Sequence, residues 1–152
     1  MDCSLSQIEV DALLAMEKCR VDDTNYTFPE LGGSLKIPLK SKDEREEFLL
    51  DVSRGRIALK KHTFQIRTRL TCVLARVDIA GAPHRNPDGE EIACPHIHIH
   101  RHGADDKWAI PLPSEIFANP ENAMQVLEDF MDFCNISEKP IILRDLLHEF
   151  QK

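Results

Sequence analysis

The sequence predicts an α+β fold, with one N-terminal and two C-terminal helices packed on one face of an antiparallel sheet of about five or six strands. Three observations carry this expectation. Apolar residues recur at alternate positions through the middle of the chain, whereas helical periodicity is confined to its two ends. The connections between successive strand-like runs are short, which favours antiparallel pairing because a parallel pair needs a longer crossover. A length of 152 residues suits a single domain over 1–152.

The elements follow in order. Ser6 and Glu9 form a capping box, and Leu5 with Val10 a hydrophobic staple, for a helix from about Gln7 to Cys19. Val21 to Gly33 is a turn-rich connection in which Tyr26-Thr27-Phe28 can form a short edge strand. Leu35 to Leu39 alternates like a strand, and Pro38 confines it to an edge. A meander follows: Phe48 to Ser53, Ile57 to Arg69 and Thr71 to Ile79. In the second of these, His62, Phe64, Ile66 and Thr68 share one face. In the third, Val73, Ala75, Val77 and Ile79 are expected to face the core, with Cys72, Leu74, Arg76 and Asp78 opposite. Gly81 to Glu90 is a stiff loop carrying His84 and Arg85.

Next comes Cys94-Pro95-His96-Ile97-His98-Ile99-His100-Arg101-His102-Gly103, the stretch around which the chain is organised. As a strand it sets Ile97 and Ile99 on one face and His96, His98, His100 and His102 on the other. Lys107 to Leu112 is a further edge strand, with Trp108, Ile110 and Leu112 turned to the core. Asn119 caps the next helix, with Pro120 at its first position. A last helix runs from about Lys139 to Phe150, where His148 suits the helix dipole and no catalysis.

Composition limits the partners. With 30% charged residues and no long apolar run, no membrane span is expected. The N-terminus lacks the pattern of a signal peptide, and five dispersed cysteines without a CxxC spacing read as reduced thiols, so a cytoplasmic location is expected. The net charge is −7, yet the segment Arg54 to Arg85 holds eight Lys/Arg and one acid, Asp78. That asymmetry can mark an anion-binding surface or only solvated strand faces.

Three functions are compatible with the histidine row. The first is a toxin-like endoribonuclease working without metal or cofactor, with His84, His96, His98 and Asp78 as the catalytic group. His84 and His98 would form the acid–base pair, Asp78 would orient a histidine, and Arg67, Arg69, Arg76, Arg85 or Arg101 would hold phosphate. The second is a protein-binding inhibitor or immunity-type protein without chemistry. The third is a site for zinc or another divalent transition metal at His96, His98 and His84. Residues two apart on a strand lie about 6.8 Å apart, so one neighbouring pair converges on an ion but three in a row do not. A further ligand would come from His62, Asp78, His84 or Cys94.

The pattern Arg76-x-Asp78-x-x-Gly81-x-Pro83-His84-x-Asn86-Pro87-Asp88-Gly89, then Pro95-His96-x-His98, then Asp106-Lys107-Trp108-Ala109, resembles a small bacterial and prophage family of unknown function. More distantly, the order Arg-x-Asp, Pro-His, Pro-His-x-His is similar to the toxins of TumE-type toxin–antitoxin pairs. That resemblance implies RNA as substrate, a cognate antitoxin as partner, and Arg76, Asp78, His84, His96 and His98 as the matching positions.

Overall fold

The computed structural model describes residues 3–144. Their elements, in order, are α1 (Gln7–Ala15), β1 (Lys18–Arg20), β2 (Asn25–Thr27), β3 (Ser34–Ser41), β4 (Glu47–Arg54), β5 (His62–Thr68) and β6 (Cys72–Ile79). There follow β7 (His84–Arg85), β8 (Glu91–Ile92), β9 (His96–Ile99), β10 (Ala109–Pro111), α2 (Ala123–Phe133), β11 (Ile136–Glu138) and β12 (Ile141–Leu143). The fold is α+β, and its main sheet has eight strands in the order β10-β9-β6-β5-β4-β3-β1-β11. The sheet is antiparallel throughout except for the parallel β1–β11 pair. No helix among the described residues is long and apolar enough to cross a membrane.

The sheet is larger than the alternation implied, because short strands join both flanks. Pro38 explains why β3 could be mistaken for an edge. Of β3, β1 pairs only with Leu39, Lys40 and Ser41, so Pro38, which has no N–H, stands where β3 has a neighbour on the β4 side alone. The meander matches expectation at β4, but β5 begins at His62, and Ile57 and Leu59 lie exposed in the connection. In β6 a bulge breaks the alternation. Ile66 pairs with Ala75 and Arg67 with Val73, so Leu74 is the extra residue. Cys72 and Leu74 are therefore buried with Ala75, Val77 and Ile79, while Val73 moves to the partly exposed set.

Two helices, not three, are present among the described residues. α1 has the expected capping box, with the Glu9 amide donating to Ser6 Oγ at 3.2 Å and the Ser6 amide to Glu9 Oε1 at 3.1 Å. It ends at Ala15 instead of reaching Cys19, which belongs to β1. α2 is capped by Asn122, whose side chain accepts from the Gln125 amide, and not by Asn119. The expected last helix is corrected at its start. Ile141–Leu143 pairs as β12 with β2, and the stretch from residue 145 on, His148 included, lies outside the described residues.

Val10 and Leu13 of α1, and Val126, Leu127, Phe130 and Met131 of α2, pack with Leu50, Val52, Phe64, Ile66, Val77 and Ile97 to form the core. Ile110 lies opposite Ile97 on this face but is 45% exposed, because β10 is the last strand. Trp108 is half-buried, with the Arg101 guanidinium 4.1 Å above its ring. The thiols are not all free: Cys3 and Cys72 form a disulfide, as the N-terminal segment lies over the start of β6. Cys19, Cys94 and Cys134 are free.

Behind the core, one ammonium serves both helix ends. Lys18 is completely buried, and its Nζ donates to the carbonyls of Leu14, Met16 and Cys134, each at 2.8 Å. These carbonyls close α1 and α2, where the helix dipole favours a cation.

Candidate metal centre

The site is built on the face of the sheet away from the helices. The antiparallel β6–β9 register sets Arg76 beside His98 and Asp78 beside His96. Cross-strand pairs of this kind bring side chains into direct contact. Asp78 Oδ2 consequently lies 3.1 Å from His96 Nε2 and 3.1 Å from His98 Nε2. These three ligand atoms fall within 4.8 Å of one another.

Contrary to a solvent-facing row, His96, His98 and His100 are buried. The hairpin β7–β8 covers the first two. Asn86, itself buried, clamps it to the edge strand: its Nδ2 donates to Ala109 O at 2.9 Å, and its Oδ1 accepts from the Ala109 amide at 2.8 Å. Replacing Asn86 with alanine is expected to cost about 1–3 kcal/mol and to speed exchange of the Ala109 amide, as hydrogen-exchange NMR would show. His84, half-buried on β7, comes to rest with its ring 4.5 Å from that of His98 and 6.1 Å from that of His96. His102 lies beyond β9, exposed, with its backbone amide on Gln7 Oε1. His62 lies on the core side between Phe28 and Phe64, on the opposite face of the sheet from Asp78.

Hydrogen bonds select the nitrogens that carry lone pairs. His98 Nδ1 lies 2.8 Å from Asp106 O, and His84 Nε2 lies 2.6 Å from Lys107 O. A carbonyl only accepts, so both nitrogens hold the proton in the neutral rings. His98 Nε2 is left as an acceptor, and Arg76 Nη2 approaches it at 3.0 Å. Arg76 also meets Asp78 Oδ2 through Nε at 3.2 Å, and reaches Asp106 Oδ2 through Nη1 at 3.4 Å. Cys94 Sγ lies 3.5 Å from His96 Nδ1.

The charges follow from these contacts. Burial opposes ionisation of Asp78, but a hydrogen bond from His98 Nε2 when that ring is protonated, and the Arg76 guanidinium, outweigh it and hold the carboxyl well below its usual range. Burial pushes the His96 imidazole down, so it is neutral near pH 7, even though the Asp78 charge pulls the other way. Burial raises the Cys94 thiol, with the Asp78 charge adding to it. A groove of about 450 Å³ opens beside the cluster, lined by Asp51, Lys61, Gln65, Arg76, Asp78 and Cys94.

Of the expected phosphate-binding arginines, Arg76 alone joins the site. Arg67 pairs with Asp51 through Nε at 2.7 Å, Arg69 with Glu46 and Arg85 with Glu91. Arg101 lies against Trp108. Arg67, Arg69 and Arg85 thus sit against acids supplied by other strands or by their own hairpin, so the basic segment does not form a uniform cationic surface. Asp106, Lys107 and Asn86 were not anticipated as parts of the site. Two of them act there through backbone carbonyls, which side-chain pattern does not reveal, although all three belong to the quoted sequence pattern.

The chain belongs to a family of unknown function, DUF6978, whose model matches residues 5–136. No curated protein and no solved structure matches it.

Proposed function

We propose, for a chain whose family has no assigned activity, that Asp78, His96 and His98 bind a divalent transition metal, zinc in the first instance, and that the ion activates water for hydrolysis. The convergence of the three ligand atoms is the observation that carries this reading. Two of their edges measure 3.1 Å. A tetrahedral ion with ligands at 2.0–2.2 Å has edges of about 3.3–3.6 Å, so small adjustments suffice. His98 also has the outer contact expected of a metal ligand, an N–H given to a carbonyl that leaves the other nitrogen free. His96 must present Nε2 as a lone pair, with its proton moved to Nδ1. Three protein ligands leave a position for water, whose proton the ion makes easy to remove near pH 7. His84, next to His98 and half-buried, stands where it can accept that proton, and Lys61 and Arg76 line the groove through which an anionic ester would enter.

A second reading, RNA cleavage by His84 and His98 without metal, is supported by their adjacent rings and by Arg76 beside them. One experiment separates the two. The disulfide-bonded chain is stripped of metal, titrated with zinc, and assayed on an activated phosphodiester and on labelled RNA. Binding of about one zinc, lost in Asp78→Asn and His98→Ala and retained in His84→Ala, supports the metal centre, as does hydrolysis that EDTA abolishes and zinc restores. Absence of zinc binding in the folded chain overturns it. RNA cleavage that survives EDTA and disappears in His98→Ala establishes the second reading instead.

A further inference from the structure

At the far end of β9 a second group of ligands is assembled from distant parts of the chain. Cys3 precedes α1, Cys72 opens β6 and His100 follows β9, and their ligand atoms all lie within 4.8 Å of one another. Cys72 and His100 are each 3% exposed. The His100 ring is fixed by Nδ1, 3.2 Å from Val73 O, so in the neutral ring Nε2 carries the lone pair. A small cavity of about 80 Å³ adjoins them, lined by Cys3 and His100 and by the acids Asp105 and Asp106.

A disulfide alone does not require a buried imidazole and an acid-lined cavity beside it. Two thiolates, an imidazole and a carboxylate or water, by contrast, make up an ordinary zinc coordination set. We propose that Cys3, Cys72 and His100 form a zinc site in the reduced chain, and that the Cys3–Cys72 disulfide takes its place on oxidation. The two states interconvert with atoms and electrons balanced. A dithiol reductant gives two electrons and two protons to the disulfide, becoming a disulfide itself and leaving two thiols. Zinc then displaces both thiol protons and binds the two thiolates. In the reverse direction a disulfide oxidant such as oxidised glutathione takes two electrons from the thiolates, the Cys3–Cys72 bond forms and zinc departs.

Both states tie the segment before α1 to the sheet. Gln7 of α1 already holds the strand beyond β9, donating to His100 O at 3.2 Å and accepting from the His102 amide at 2.7 Å. The ligand cluster therefore lies on a helix–sheet contact that is formed independently of the sulfurs. Reduction leaves that contact in place, ready to receive an ion.

Cobalt(II) reads the proposal directly, because thiolate-to-cobalt charge transfer absorbs strongly in the near ultraviolet and nitrogen or oxygen ligation does not. The full chain is titrated with cobalt, oxidised and then reduced with a phosphine that does not bind the ion through sulfur. The reduced chain is expected to take up about one more equivalent than the oxidised chain, with the thiolate band present. Cys3→Ser and Cys72→Ser should abolish the band, Cys94→Ser should keep it, and His100→Asn should weaken binding at least about tenfold. Cys3→Ser, at the less buried position, keeps the test valid should Cys72→Ser fail to fold. Absence of the band in a reduced chain with native circular dichroism overturns the proposal. So does a band that persists in Cys3→Ser, or an affinity unchanged by His100→Asn.

Discussion

Replacing Lys18 with methionine is expected to destabilise the protein by about 3 kcal/mol, seen as a lower urea midpoint with an unchanged denaturant slope. Methionine has nearly the length of lysine but no donor. The variant leaves the carbonyls of Leu14, Met16 and Cys134 without the proton each receives from Nζ. The Cys134 carbonyl lies wholly in the interior and has no water to turn to, and each such loss costs about 1–3 kcal/mol. The ammonium also stands 4.9 Å from the centre of the Phe48 ring, an attraction that methionine forfeits. Lys18 brings a pH dependence with it. Burial depresses its pKa from 10.5 to about 8, so the ammonium is the form present at pH 7. Below pH 8 both folded and unfolded chains hold the proton, and the cost of burying the charge is felt in full. Between pH 8 and 10.5 the unfolded chain holds more protons than the folded one, so this group's contribution to stability rises with pH. The gap between wild type and Lys18→Met should therefore widen across that window in paired denaturation curves. A constant gap would show that the burial of Lys18 does not shift its titration.

Arg76→Met should give effects of opposite sign with and without zinc. Arg76 is the cation that meets the Asp78 carboxylate and the His98 lone pair, and it competes with any ion for both. Without metal, its removal leaves a largely buried carboxylate with the Thr63 hydroxyl and His96 as partners but without its countercharge, at an expected cost of about 3 kcal/mol in thermal or urea unfolding. With metal, the competitor is gone. Zinc affinity should rise at least about tenfold, and zinc at 100 times its dissociation constant should restore about 2.7 kcal/mol. In the wild-type chain Asp106 Oδ2, 3.4 Å from Arg76 Nη1, offers the guanidinium a carboxylate to keep when an ion displaces it from Asp78. If Arg76→Met binds zinc no better than wild type, or binds it more weakly, the guanidinium is a partner of the ligands and not a rival to the ion.

Much of the fold was legible because alternation is a strong signal wherever one face is buried. β4 stands where period-two patterning put it, β5 does so only from His62 onward and β9 over His96–Ile99, and Arg76 and Asp78 face the histidines as expected. The bulge at Leu74 was invisible because Leu74 and Ala75 are both apolar, so neither contradicts the other's orientation. Ile141-Ile142-Leu143 is an apolar run too short for periodicity to tell strand from helix. β12 is decided by its pairing with β2, more than a hundred residues earlier. Asn119 and Asn122 are equally good caps by composition, and only backbone geometry chooses between them. At the site, His84, His96, His98 and Asp78 came together as the residue types suggested. The misjudgement was of charge. Arg67 and Arg69 looked unopposed because Asp51 and Glu46 are brought to them only by strand pairing.

The Asn86 clamp decides from which side the cluster can be reached. Both hydrogen-bonding edges of one side-chain amide are spent on the backbone of one residue of β10, Ala109, so the hairpin behaves as a fixed wall and not as a flap. The remaining approach runs along the sheet over β4, β5 and β6, whose half-exposed polar side chains form its floor. The side on which the cluster stays open is thus set by one asparagine at the β10 edge, away from β4 and β5, which floor the groove.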